Sequence, residues 1–428
     1  MNSILLKNVR IADSKQVSES NQDILIVNGI IQKIGLIDAS EEYSVVHDFN
    51  GAFASPGWMD MHVHLREPGF EHKETVLTGT NAAVFGGFTA VACMPNTKPA
   101  IHTRDVVEFI KSKAINTLVD VYPIACVSKE RKGESLAEMA DLRAGGAVAF
   151  SDDGDPVYNS RIMRLALEYS SMYNMPIINH EEDLHLSRPG HMNEGLVATR
   201  LGLAGTPGIA EEVMIARDIL LAELTGGHVH VAHISTAKGV ELVRRAKKDG
   251  INVTTEVCPH HFDLTDSEIE RTHFDTNYKM HPPLRTQEDR LAMIEGLRDG
   301  TIDAICTDHA PHSIEEKDVE FIYAPNGILG LETAWPISCK RLFHEHHFDL
   351  SFLIEKFIEK PRSILNIPIP EIKEGSTANI TIFTTDDKWT FESKHIKSKS
   401  KNTPYLGYEM TGKALAVVNK GRIHINSF

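Results

Sequence analysis

Between about residue 52 and residue 310 the chain alternates short apolar runs with amphipathic stretches. The apolar runs cover 52–65, 88–96, 119–128, 146–153, 175–182, 228–235, 251–261 and 301–310, and each reads as a strand. Between them the apolar period changes to that of a helix. Ile162, Leu165, Ala166 and Tyr169 follow the i, i+3, i+4, i+7 rule within "NSRIMRLALEYSSMYN". The segments "AEEVMIARDILLAEL" and "TQEDRLAMIEGLRDG" behave in the same way, and Thr286 is placed to cap the second. Eight strands alternating with helices over roughly 250 residues predict an α/β fold, a (β/α)8 TIM barrel whose strands are parallel because every connection is a crossover helix.

The two ends of the chain have a different pattern. "ILLKNVRIA" and "DILIVNGIIQKIG" near the start, with a turn signal at Asn28-Gly29, read as short strands. "ANITIFTT", "WTFES" and "KALAVVNKGRIHI" near the end read likewise, with a turn at Lys420-Gly421. Neither end alone has enough strands to bury a core. The expected organisation is therefore a small β-sandwich assembled from residues 1–52 and 366–428, flanking a barrel over 53–365. The polar, lysine-rich "ESKHIKSKSKNTPY" (392–405) is expected to be an exposed loop.

Composition narrows the class of partner. A formal charge of −15 argues against nucleic acid or an anionic membrane as the main partner, although a local arginine can still bind a small anion. The N-terminal apolar run is too short for a signal peptide, and no stretch approaches about 18 consecutive apolar residues. A cytoplasmic location is the expectation. The five cysteines are scattered, odd in number and mostly inside apolar runs, which reads as buried thiols in a reducing compartment.

The candidate chemistry sits where the strands end. In "DMHVHLREPG" an extended chain would put His62, His64 and Arg66 on one face, with the two histidine Cα atoms about 6.6 Å apart. Further along, Asp152 and Asp153 end strand 4, His180 ends strand 5, His233 ends strand 6 and Asp308 ends strand 8. In a barrel these ends share one mouth. Four imidazoles and two carboxylates suit divalent ions, with zinc the default, and six ligands are too many for one tetrahedral ion. Two ions bridged by a carboxylate are indicated, and the chemistry they support is hydrolysis at a carbonyl or its reverse. Other histidines carry less. "HEEDLH" spaces its histidines by five, so they would not share a helix face; "HEHH" (344–347) reads as solvated; His260 and His261 read as residues supporting the site or as structural ones.

Taken together, "DMHVHLREPG", "CMPNT", "FSDDG", the "NH" that ends strand 5, "AHIST", "HPPLR", "TDHAPH" and "NGILGLET" resemble the amidohydrolase superfamily, and within it the bacterial type I dihydroorotases. The resemblance runs along nearly the whole chain. It implies a first ion on His62 and His64, a second on His180 and His233, a bridging strand-4 carboxylate, and an Asp308 that binds metal and moves protons. Hydantoinases and allantoinases use a carboxylated lysine on strand 4, but "GAVAFSDDG" has no lysine, so an aspartate must serve. Asp153 is preferred to Asp152 on the resemblance. Arg66 is placed to grip a substrate carboxylate. Further substrate contacts are implied at His64, Asn96, His312, Asn326 and Gly327. Where relatives have asparagine before "PPLR", this chain has His281.

The implied activity is the reversible, zinc-dependent cyclisation of N-carbamoyl-L-aspartate to L-dihydroorotate, in pyrimidine biosynthesis, with two zinc ions per subunit. A homodimer and an association with aspartate transcarbamoylase are implied as partners. The competing readings are allantoinase or dihydropyrimidinase (hydantoinase), and a non-catalytic scaffold of aspartate transcarbamoylase. Residues 153–160 and 312–327 are expected to border the mouth.

Overall fold

The computed structural model describes residues 3–38 and 43–428. The expected terminal segment 1–52 therefore includes six positions (1–2 and 39–42) that lie outside the described residues. Eight parallel strands form the barrel: β1 (Trp58–Val63), β2 (Phe88–Cys93), β3 (Asp120–Ala125), β4 (Ala149–Ser151), β5 (Ile177–Asn179), β6 (Val229–Val231), β7 (Val253–Val257) and β8 (Ala304–Ile305). They pair in chain order, and a bridge between Val63 and His309 closes the ring, with the His64 N–H donating to His309 O at 2.9 Å. Alternate residues such as Ala90, Ala92, Ile124, Ile178 and Ala304 fill the interior. Val91, Ile177, Val229 and Val257 face the helices. That division is the one expected of strands buried on both sides.

Helices occupy the predicted connections, among them Ser160–Ser171, Ile209–Thr225 and Gln287–Arg298. Thr286 caps the last of these in a reciprocal box with Asp289, each side chain accepting from the other's backbone N–H. In Ser160–Ser171 the buried face is Ile162, Met163, Ala166, Leu167 and Ser170, whereas Leu165 is exposed. Leu165 matches the apolar period but lies on the flank of that stripe, beyond the reach of the sheet.

The run 52–65, read as one strand, is two. Phe53–Pro56 pairs antiparallel with Ile380–Phe383 in the terminal sheet, and only Trp58–Val63 belongs to the barrel. The change of direction falls at Gly57, where an added Cβ would stand 1.8 Å from Asn379 Oδ1 and 2.2 Å from Thr89 Oγ1. No side chain fits there. Both chain ends build one eight-stranded sheet, in the order 422–425, 409–419, 380–390, 53–56, 3–11, 22–27, 30–35, with 45–48 beside 3–11. Ile4, Leu6, Ile24 and Ile26 from one arm share a core with Ile380, Ile382, Ala416 and Val418 from the other.

Residues 392–405 are not the exposed loop their polarity suggested. His395, Ser398, Ser400, Asn402 and Tyr405 are buried, because the segment lies across the barrel and its polar groups find partners there. Ser398 Oγ donates to Glu74, and the Lys399 N–H donates to Glu74 Oε1 at 3.2 Å. Burial raises the Glu74 pKa, but hydrogen bonds from His309, Ser398 and Thr78 more than offset it and leave the pKa below its usual 4.5. A depressed carboxylate contributes stability that is complete above the unfolded pKa and is lost as pH falls through the folded one. Glu74→Gln is therefore expected to melt at a lower temperature at neutral pH, with the gap to the parent narrowing as pH drops below 4.5. Thermal scans across that range check this, and a gap independent of pH would contradict it.

Candidate active site

The strand ends deliver their side chains to one cavity of about 210 Å³ at the C-terminal mouth. Asp153 lies at its floor with imidazoles around it. Its Oδ1 is 3.5 Å from His62 Nε2, 3.6 Å from His233 Nε2 and 4.0 Å from His180 Nδ1. Its Oδ2 is 3.6 Å from His64 Nε2. Asp308 Oδ1 stands 2.9 Å from His64 Nε2 and 3.6 Å from His62 Nε2. Asp152 points elsewhere. It accepts from the backbone N–H groups of Val127 and Ser128 at 3.0 and 3.1 Å and from the Ser128 hydroxyl. Of the two strand-4 acids, only Asp153 is among the imidazoles.

These separations suit divalent cations. Two nitrogens on one tetrahedral zinc stand about 3.3 Å apart, given bonds of about 2.0 Å. His62 Nε2 and Asp153 Oδ1 are buried without a hydrogen-bond partner, an arrangement that costs free energy unless something else satisfies them. The ligand atoms of His62, His64 and Asp153, and those of Asp153, His180 and His233, each lie within 4.8 Å of one another. The donor set fits a metal centre.

Charge follows the same geometry. Burial disfavours an ionised Asp153, but His62, His233 and His64 outweigh it and hold the carboxyl well below its ordinary range. Burial likewise opposes charge on Asp308, which His64 and His62 hold below the usual value. His62 is pushed well above 6.5 by Asp153 and Glu256 despite its burial, whereas burial lowers His64 and His180.

A surrounding layer fixes the imidazoles. His62 Nδ1 donates to Glu256 Oε1 at 2.6 Å, which in the neutral imidazole leaves the lone pair of Nε2 facing the cluster. His64 Nδ1 donates to Asn96 Oδ1 at 2.8 Å. Glu182 Oε2 lies 3.7 Å from His180 Nε2 and 3.0 Å from His281 Nε2, and the His281 ring stacks on His180 at 4.6 Å. Glu256 and Glu182 are absent from the expected set. A glutamate inside the apolar run "INVTTEVCPHH" was the available signal, because a buried strand tolerates a charge only beside a partner. Glu256→Gln should weaken metal affinity or activity about 10- to 100-fold. Titration of the metal-stripped protein with zinc measures it, and unaltered affinity and activity would dismiss the role.

The other expected residues are also placed by the fold. Arg66, Asn96, His281, His312, Asn326 and Gly327 all line the cavity. Burial draws the Arg66 pKa down to about 10, so the side chain stays charged at neutral pH. Its Nε donates to Pro311 O at 3.2 Å. Burial, with Arg66 and Lys73 nearby, lowers His312 to about 2 and keeps it neutral. His312 Nε2 donates to Asn326 O at 2.8 Å. The Gly327 N–H is already given to Lys279 O at 2.9 Å, so its remaining polar capacity is a carbonyl lone pair. Arg66, His233 and Asp308 have φ of 62°, 30° and 47°, left-handed values that cost non-glycine residues about 1–3 kcal/mol each and concentrate at functional sites.

Two sequence expectations change here. The predicted period-two alternation from His62 to His64 is interrupted by a register shift between Asp60 and Val63, and the His62 N–H turns to Asp60 Oδ1 at 3.1 Å. The imidazoles still converge, with ring centroids 5.6 Å apart. His344, in the segment read as solvated, is half-buried and donates to Thr385 O at 2.7 Å. His260 and His261 are buried beside the site on the helix Pro259–Asp263, where His261 Nε2 donates to Pro282 O at 3.1 Å. All five cysteines are buried free thiols.

Comparison with known proteins agrees with this geometry. Residues 51–239 match the family model described as "Dihydro-orotase-like". A dihydroorotase of Syntrophus aciditrophicus (strain SB) is 48% identical over 423 residues, covering 98% of each chain. One of Geobacter sp. (strain M21) is 47% identical over 421 residues, again covering 98% of each. Among solved structures, the L-hydantoinase (dihydropyrimidinase) from Arthrobacter aurescens superposes with a TM-score of 0.87 at 24% identity, covering 100% of this chain and 98% of that one, and so shares the fold. With an imidazole and carboxylate cluster at the barrel mouth and relatives this similar end to end, the chain belongs to the dihydroorotase family of the amidohydrolase superfamily.

Proposed function

We propose that this cavity opens the ring of L-dihydroorotate to N-carbamoyl-L-aspartate and closes it again, and that His62, His64, Asp308, His180, His233 and Asp153 are the residues that would hold two zinc ions there. The observation that carries the reading is one carboxylate ringed by four imidazoles, with the Arg66 guanidinium lining the same cavity. Cations bound there supply Lewis acidity to a carbonyl and lower the pKa of water towards about 7.

The residues of the chain do the rest. Dihydroorotate has one free carboxylate, and Arg66 offers a forked, charged partner for it, with the free Asn96 amide hydrogens beside it. His312 is neutral and has one N–H, which goes to Asn326 O here and turns to the carboxylate when substrate binds; the Gly327 carbonyl can accept a ring N–H. Asp308 is ionised and lies against His64. It takes a proton from the attacking water and delivers it to the ring nitrogen as the bond from that nitrogen to C4 breaks. Synthesis runs the same transfers backwards. His281, stacked on His180 and bonded to Glu182, borders the substrate where relatives have asparagine.

Purified protein assayed on dihydroorotate, allantoin and dihydrouracil tests the reading. Turnover of dihydroorotate alone, lost with a chelator and restored by zinc with two equivalents bound, is expected. Preference for either other ring would favour the allantoinase or dihydropyrimidinase reading, and inactivity with no bound metal would favour the scaffold. Arg66→Lys keeps the charge but loses the fork. It should raise KM for dihydroorotate about 30-fold or more with a smaller change in kcat, and an unaltered KM would remove Arg66 from carboxylate binding. The resemblance also supports a cytoplasmic homodimer and an association with aspartate transcarbamoylase. Light scattering of the chain alone and mixed with the transcarbamoylase tests both associations. No helix among the described residues is long and apolar enough to cross a membrane.

A further inference from the structure

At one residue the largely buried segment 392–405 reaches the loops that line the cavity. Asn402 is 4% exposed and uses every polar group of its side chain on the loops that follow β8. Its Oδ1 accepts from the His312 backbone N–H at 3.0 Å. Its Nδ2 donates to Ala310 O at 3.0 Å and to Gly327 O at 3.1 Å. Its own carbonyl accepts from the Leu329 N–H at 2.9 Å. Two residues earlier, Ser400 Oγ donates to Lys73 O at 2.7 Å, and Lys73 Nζ lies 3.4 Å from His312 Nδ1. His312 and Gly327 are thus held together by a side chain 90 and 75 positions further along the sequence. A cavity meant to recognise a small rigid ring gains from such fixing, because binding then orders fewer groups.

We propose that Asn402 is a positioning residue for substrate: it sets His312 and the Gly327 carbonyl at the spacing that meets the carboxylate and ring amide of dihydroorotate. The inference rests on the reading of His312 and Gly327 as substrate contacts. Asn402 itself does not line the cavity, so its effect falls on binding and not on proton transfer.

The test compares Asn402→Ala and Asn402→Asp with the parent enzyme, loaded with metal. Asp keeps the size of the side chain and the acceptor for the His312 N–H, but sets a carboxylate oxygen against two carbonyl oxygens. Both variants should raise KM for dihydroorotate about 10- to 100-fold, with kcat within about threefold and metal content equal to the parent's. Lys399→Ala, an exposed change in the same segment, should leave all three unchanged. If the alanine protein does not accumulate, the near-isosteric aspartate protein carries the test. A parent-like KM in the aspartate variant, or a fall in kcat without a rise in KM, overturns the inference. His312→Ala separates the two levels. If it raises KM while the Asn402 variants do not, the positioning role alone fails; if it leaves KM unchanged, the substrate-contact reading beneath it fails.

Discussion

Asp308→Asn should turn over dihydroorotate about 10²- to 10⁴-fold more slowly than the parent, the range over which a positioned acid or base acts. The substitution keeps an oxygen facing His64 and His62 but removes the group proposed to hold a proton between water and the ring nitrogen. Folding should survive. Among the described residues the Asp308 side chain makes no hydrogen bond to backbone, and its nearest partner is His64 at 2.9 Å. The kinetics should therefore split in a particular way, with kcat collapsing and the metal content and melting temperature close to the parent's. Stopped assays with inductively coupled plasma analysis on the same sample read both quantities. A variant with normal kcat would remove Asp308 from proton transfer. One that lost its metal in proportion to its activity would reduce the residue to a ligand.

Asp153→Ala should have the larger effect on metal. Among the described residues it removes the only carboxylate that stands within 4.0 Å of all four imidazoles, and with it the negative charge that would offset the two proposed cations. Loss of an outer-layer partner costs about 10- to 100-fold in metal affinity, so loss of the carboxylate proposed as a shared ligand should cost at least about 100-fold. The protein is expected to purify with well under half the parent's metal and to show no measurable turnover. Asp152→Ala is the informative control, one position away. Its effect should be structural: the Val127 and Ser128 N–H groups lose their acceptor, which costs about 1–3 kcal/mol of stability while the metal content is kept. If the two variants exchanged phenotypes, Asp152 would be the bridging residue.

The contrast between Asp152 and Asp153 shows where sequence reading stops. Both acids end the same strand, one residue apart, and alternation puts them on opposite sides of it. Which side holds the imidazoles depends on three other strands. The same limit explains Glu256 and Glu182. Each sits in an apolar run where a charge needs a partner, yet the partner of Glu256 is His62, 194 positions away. The lysine-rich stretch 392–405 misled for a related reason. Polarity predicts exposure only when no other part of the protein supplies partners, and Glu74, Glu332 and the β8 loops supply them here.

The eight-fold alternation of apolar runs and amphipathic stretches, the union of both termini in one β unit (expected as a sandwich, found as a single sheet), and the arrival of His62, His64, His180, His233 and Asp308 at one mouth were all determined by the order of residues. Periodicity sets which face a side chain takes, and parallel strands set which end it reaches. Tertiary structure alone decided that Gly57 divides one apolar run between two sheets and that Asn402 comes to rest against His312, and it supplied the geometry behind the choice of Asp153 that the resemblance favours. These outcomes depend on contacts between segments distant along the chain, and their geometry exists only once the barrel has closed.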